Sequence, residues 1–131
     1  MKLLFNILCF TFFNICFSQG VQGSWNWKDS NGKHASEIIF VNVDTNNLQG
    51  NYCSIFYNGE KVDCNNSQEE FFIQISNVTT NIYQGTFRSN FSGLTGKLKI
   101  IYNPKGDTFL LEILEEPDGE YYLPDGYVFK R

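Results

Sequence analysis

Few residues of this chain have side chains suited to chemistry, and they fall into four groups. His34 is the single histidine, so a nucleophile activated by a base would have to be assembled around it. No Gly-x-Ser-x-Gly elbow accompanies it, and a lone histidine at a strand start is by default a surface residue. Glu112, Glu115, Glu116, Asp118 and Glu120 form an acidic cluster. Paired carboxylates serve glycoside hydrolysis when a rigid wall fixes their separation, whereas this cluster falls mostly in a turn-rich loop. Such a loop also suits Ca2+, but the spacing of an EF-hand is missing. The sequence therefore assigns no catalytic residue, metal set or cofactor, and the expectation is a protein that is not an enzyme.

The third group is cysteine. Of four cysteines, Cys9 and Cys16 lie in an N-terminal segment with the marks of a signal peptide. Lys2 supplies the positive start, Leu3 to Phe17 is apolar apart from Asn6, Thr11 and Asn14, and Ser18 is a small residue at the cleavage position. Residues 1–18 are read as a signal peptide cleaved after Ser18, and 19–131 as one domain, secreted or periplasmic. The apolar run is short for a membrane anchor, and a lipoprotein route through Cys16 lacks the small residue that should precede it. After cleavage no stable membrane insertion is expected. Cys53 and Cys64 remain, and two cysteines in an exported chain point to a disulfide.

The fourth group is aromatic. Phe, Trp and Tyr make up 17% of the chain, and on strands they either fill a core or line a pocket. Trp25, Trp27, Tyr52 and Phe56 are the candidate ligand-binding residues, for a small apolar ligand or a protein partner. Nucleic acid is not an expected partner. The chain carries ten basic and fourteen acidic residues, and loss of Lys2 makes the balance more acidic still, with no basic stripe for phosphates. Asn65, Asn77 and Asn90 open Asn-x-Ser/Thr sequons, which matter only in a host that glycosylates.

These residues must be positioned by strands, because short β-branched and aromatic runs alternate with Asn, Asp, Gly and Pro, and no helical repeat is sustained. Runs are expected around Trp25 and Trp27, over Ala35–Val43 and Leu48–Tyr57, around Ile73, around Tyr83 to Phe87, around Leu98 to Tyr102, over Thr108–Leu114 and over Tyr127–Lys130. Asn58-Gly59 is the residue pair favoured by a two-residue type I′ hairpin. Counting outward from it places Phe56 opposite Lys61, Ile55 opposite Val62, Ser54 opposite Asp63 and Cys53 opposite Cys64. The same count makes the cysteines a hydrogen-bonded pair. Short connections favour an antiparallel meander of eight or nine strands closing into a barrel, or alternatively a sandwich. Short helices are left open within Ser89–Leu94 and Glu115–Glu120.

Gly23-Ser24-Trp25 resembles the Gly-x-Trp opening of lipocalins and avidins, and Leu48-Gln49-Gly50-Asn51-Tyr52 is similar to an avidin-type third strand. That likeness implies a meander barrel for small molecules, and it carries over no ligand residue. Over most of its length the chain looks more like uncharacterised families of small exported bacterial proteins. Those share a signal ending near Ser-Gln, a Gly-x-Trp-x-Trp start, an Asn-Gly hairpin and a Tyr-rich tail. The leading reading is a binding module. The alternative is an inhibitor or immunity-type protein that meets another enzyme through the acidic Glu115–Glu120 loop.

Overall fold

The structure is a computed structural model that describes residues 20–65 and 69–131. The segment read as a signal peptide lies outside the described residues. Among the described residues nine strands follow one another: β1 (Gly23–Lys28), β2 (Ala35–Asn42), β3 (Asn47–Phe56), β4 (Lys61–Cys64), β5 (Ile73–Thr79), β6 (Ile82–Arg88), β7 (Thr95–Asn103), β8 (Thr108–Glu115) and β9 (Tyr127–Lys130). All pairings are antiparallel, and β9 returns to β1, so eight strands close into a barrel with β4 as an extra strand. The sandwich alternative is thereby set aside. The long β3 makes this possible: Asn47–Gly50 pairs with β5, while Cys53–Phe56 pairs with β4.

Alternation decides what lies inside. Trp25, Ile38, Phe40, Ile73, Phe87, Leu98, Ile100, Phe109, Leu111 and Phe129 point inward and are essentially fully buried. The interior is therefore packed with side chains, as an eight-stranded barrel permits. The Leu48, Gly50 and Tyr52 row also faces inward, and Gly50 has a steric reason: a Cβ there would stand 2.4 Å from the Ile39 carbonyl oxygen. Gly85 is tighter still, with its hypothetical Cβ 1.8 Å from the Gln74 carbonyl oxygen.

One end of the barrel is closed by Arg131. Its guanidinium lies 4.0 Å from the centre of the Trp25 ring. It donates to the Gln22 carbonyl at 2.6 Å and to that of Gly20, and pairs with Asp107 at 2.8 Å. The Trp25 indole N–H in turn donates to Val21 at 2.7 Å. Arg131→Ala is expected to cost about 1–2 kcal/mol, from the lost cation–π contact and charge-assisted bonds. The check is a urea midpoint together with a red shift of Trp25 emission; an unchanged midpoint would show that water replaces the guanidinium without loss.

The β3–β4 hairpin has the expected residue pairing, with Cys53 opposite Cys64 and bonded to it. The hydrogen-bond phase is different. The Asn65 N–H donates to the Tyr52 carbonyl at 3.1 Å, which brackets Cys53–Cys64 as a non-hydrogen-bonded pair, and their Cα atoms are 3.9 Å apart. The closer spacing is the one such pairs have. The cause is at the tip. Tyr57, Asn58 and Gly59 all take positive φ (54°, 54° and 92°). The Tyr57 N–H turns to His34 Nδ1 at 3.3 Å and that of Asn58 to the Lys33 carbonyl at 3.1 Å. The loop is thus four residues, Tyr57 to Glu60, and the alternation moves by one while the partners stay the same.

No helix forms in either connection left open for one. Residues 89–94 make a single turn, closed by Gly93 N–H to the Ser89 carbonyl at 2.8 Å. Residues 116–120 are irregular, with Pro117 breaking any helical run.

Candidate functional site

Two places on the molecule merit consideration: a buried carboxylate and an open cleft. Asp63 sits on β4 opposite Ser54, on the inward face, with no exposure. Its Oδ1 accepts the backbone N–H of Asn90 at 2.8 Å and of Phe91 at 3.1 Å. Its Oδ2 accepts the Tyr52 hydroxyl at 2.7 Å, the Ser89 hydroxyl at 3.1 Å and the Tyr122 N–H at 3.0 Å. Five donors from three segments, namely β3, the 89–91 turn and the stretch before β9, therefore converge on one carboxylate. Beside it the Ser36 and Ser54 hydroxyls share a buried hydrogen bond of 2.7 Å.

This arrangement leaves no lone pair aimed at a cleft, and its effect is positional. It pins β4 to the 89–94 turn and to the segment before β9. Burial, then the charge of Asp63 and the hydrogen bond to it, pushes the Tyr52 hydroxyl far above the ordinary tyrosine range. At Tyr121, burial and the bond to Glu116 push the hydroxyl up to about 12. A tyrosine whose pKa is raised by folding holds its stabilisation whole below about pH 10, the unfolded value. The stabilisation is lost as pH rises above that, when only the unfolded chain ionises. The urea midpoint is accordingly expected to fall between pH 9 and 11, and to fall less in Tyr52→Phe. An equal fall in both would place the alkaline sensitivity elsewhere.

The cleft lies at the barrel's closure. β1 and β9 meet through a single residue pair, Asn26 and Lys130, and beyond it the wall parts. A cleft of ≈ 880 Å³ opens there on the outside. Trp27 and Tyr127 belong to the inward-facing sets of their strands and form its floor, their rings 4.7 Å apart. Ile55 and Val128, both nearly half exposed, form its apolar sides, and Lys28, Lys130 and Glu37 stand at the rim.

The four aromatic candidates do not converge. Trp25 is packed under Arg131, against Phe109 at 4.8 Å. Tyr52 is buried at Asp63. Trp27 and Phe56 come together at 6.2 Å toward the opposite end, where Phe56 also meets Tyr122 and His34. Of the four, Trp27 alone lines the cleft, and sequence reading missed Lys28, Lys130 and Tyr127 beside it. The seam pairing that brings β9 to β1 spans almost the whole chain, and no local pattern signals it.

His34 is held at the hairpin tip, with Nε2 3.9 Å from Asp29 Oδ2. Glu116 and Glu120 are occupied by the hydroxyls of Tyr121 and Tyr122. The amide of Asn65 donates to Asn51 and Glu70, and that of Asn77 to Thr79 and Ile82, so glycosylation at either would break backbone anchors. Asn90 is exposed. Among the described residues no helix is long and apolar enough to cross a membrane, and the Cys53–Cys64 bond is compatible with an oxidising compartment. No family model, curated protein or solved structure matches the chain.

Proposed function

We propose that this chain is an exported binding module that takes a small apolar ligand on its outside, in the cleft where β1 and β9 part. The observation that carries this reading is the contrast between the two candidate places. The barrel axis is occupied by Trp25, Phe40, Phe109 and Phe129, each at most 1% exposed. The seam offers ≈ 880 Å³ beside Trp27 and Tyr127, within the usual ~300–1,000 Å³ of small-molecule sites.

A neutral apolar dye such as Nile red tests it. Its fluorescence should rise on binding the folded protein, and the rise should be lost in Trp27→Ala and weakened in Val128→Ser, with far-UV circular dichroism unchanged. Dye binding that survives both substitutions would overturn the reading. Export is proposed with cleavage after Ser18. An intact mass beginning at Gln19, and lighter by the two disulfide hydrogens, supports it; a mass retaining Met1 or a lipidated Cys16 contradicts it.

A second reading is favoured by one observation. The acidic 115–120 stretch is fixed in place, with Pro117 buried and the single Ser89 hydroxyl proton shared between Asp63 Oδ2 and the Glu120 carbonyl, 3.0 Å from the latter. An ordered acidic loop beside a filled core suits an inhibitor that meets a basic partner. A complex that persists in Trp27→Ala and is lost in Glu116→Lys/Asp118→Lys would move the function to that loop.

A further inference from the structure

We infer that the ligand of the seam cleft is an anionic amphiphile, an apolar body bearing a carboxylate or similar head group. This rests on the binding reading above and names the chemical class that the cleft would take.

The walls dictate the apolar body. Val62, Ile55 and Ala35 stand opposite one another on β4, β3 and β2, and the row continues to Lys28 on β1. Val62 and Ile55 are 48% and 44% exposed, so the apolar stripe is open to solvent along the outer face. It leads into the cleft floor at Trp27 and Tyr127.

The rim dictates the head group. Arg88, Lys97 and Arg131 are each held by a carboxylate, Glu70, Glu115 and Asp107 respectively. Lys28 and Lys130 make no ion pair with any described residue, as is also true of Lys33, Lys61, Lys99 and Lys105, but they alone of these six line the cleft, and Glu37 on the same rim pairs with neither. Two free ammonium groups against one carboxylate give this cleft a positive excess on a chain whose net charge is −4. A cation would gain nothing from that rim. An anion would gain two donors beside an apolar surface, where charge-assisted hydrogen bonds are stronger than at an open surface.

The test uses three single-chain probes of equal length below their micellar concentrations: decanoate, 1-decanol and decyltrimethylammonium. Binding is read from tryptophan emission, in which Trp27 is the responsive ring because Trp25 is buried, and from calorimetry. Decanoate is expected to bind about tenfold more tightly than decanol, the equivalent of ~1.4 kcal/mol, and the ammonium more weakly than either. In Lys28→Gln/Lys130→Gln the preference for decanoate over decanol, both measured on that variant, should vanish, and added salt should erase the same preference in the unsubstituted protein. If decanol and Nile red bind while decanoate binds no better, the charge assignment fails and the cleft stands. If none of the probes binds and Nile red also fails, both readings fall together.

Discussion

Asp63→Ala is expected to lower the stability of the domain by ~3–5 kcal/mol, the range seen when one partner of a buried charged network is removed. The loss is large because the donors remain. The Tyr52 hydroxyl and the N–H groups of Asn90 and Tyr122 lose their acceptor, while the Ser89 hydroxyl keeps the Glu120 carbonyl and the Phe91 N–H keeps Ser89 Oγ. Two of the three left unpaired are backbone donors that cannot turn away. Asp63→Asn refines the prediction. Its NH2 fits better on the Oδ2 side, where two of the three partners are hydroxyls able to rotate and accept, leaving the Tyr122 N–H opposed. Asn should therefore retain part of what Ala loses, and urea unfolding of the two variants gives the order. Equal losses would mean that the carboxylate's charge, rather than its acceptor count, holds the network. Losses below ~1 kcal/mol for both would show that water satisfies the donors, which defines a different role for this residue.

The network is also the clearest measure of what the sequence reveals. Strand positions follow from local alternation, and Trp25, Ile38, Phe40, Leu98, Ile100 and Phe109 lie inward as that alternation requires. The Asn58-Gly59 pair gives the partners of β4 because turn chemistry and cysteine spacing report the same register. Asp63 is harder. It appears in sequence as one more polar residue in a short strand, opposite Ser54, and four of its five donors come from positions 26 to 59 residues further along. Buried polar networks are assembled by topology, so a carboxylate that ties two connections to β3 has the same local signature as one that faces water. The hydrogen-bond phase of the hairpin escaped for a related reason. It depends on Tyr57 taking a left-handed conformation that an aromatic residue rarely adopts, supported here by His34 from the loop between β1 and β2.

The cleft illustrates the opposite limit. Trp27 is visible in sequence as a strand aromatic, but the two tryptophans of the pattern meet different fates. Trp25 is sealed beneath Arg131, while Trp27 opens onto the place where the barrel wall parts. The difference is set by β9, which spans only Tyr127–Lys130 and touches β1 at one residue pair. A short closing strand leaves a seam, and a seam is where a filled barrel has surface to offer.

Replacing both Cys53 and Cys64 with serine is expected to cost ~3 kcal/mol, the chain-entropy value for a loop of this size. The urea midpoint should fall with little change in slope, since the register is also fixed by the ladder. The two devices that hold β4 act from opposite faces: Asp63 points into the barrel, and the Cys64–Cys53 bond lies on the outer face. That geometry makes the pair a sharper experiment than either alone. If each clamp secures the same strand, loss of one lets β4 fray, and the second substitution then has less to destroy. The combined variant should lose less than the two single losses added, by ~1 kcal/mol or more. Simple additivity would show that the disulfide works mainly on the unfolded chain while Asp63 alone fixes β4 in the fold. In that case the wall of the cleft at Cys53 should survive reduction, and Nile red binding would be the same with and without dithiothreitol.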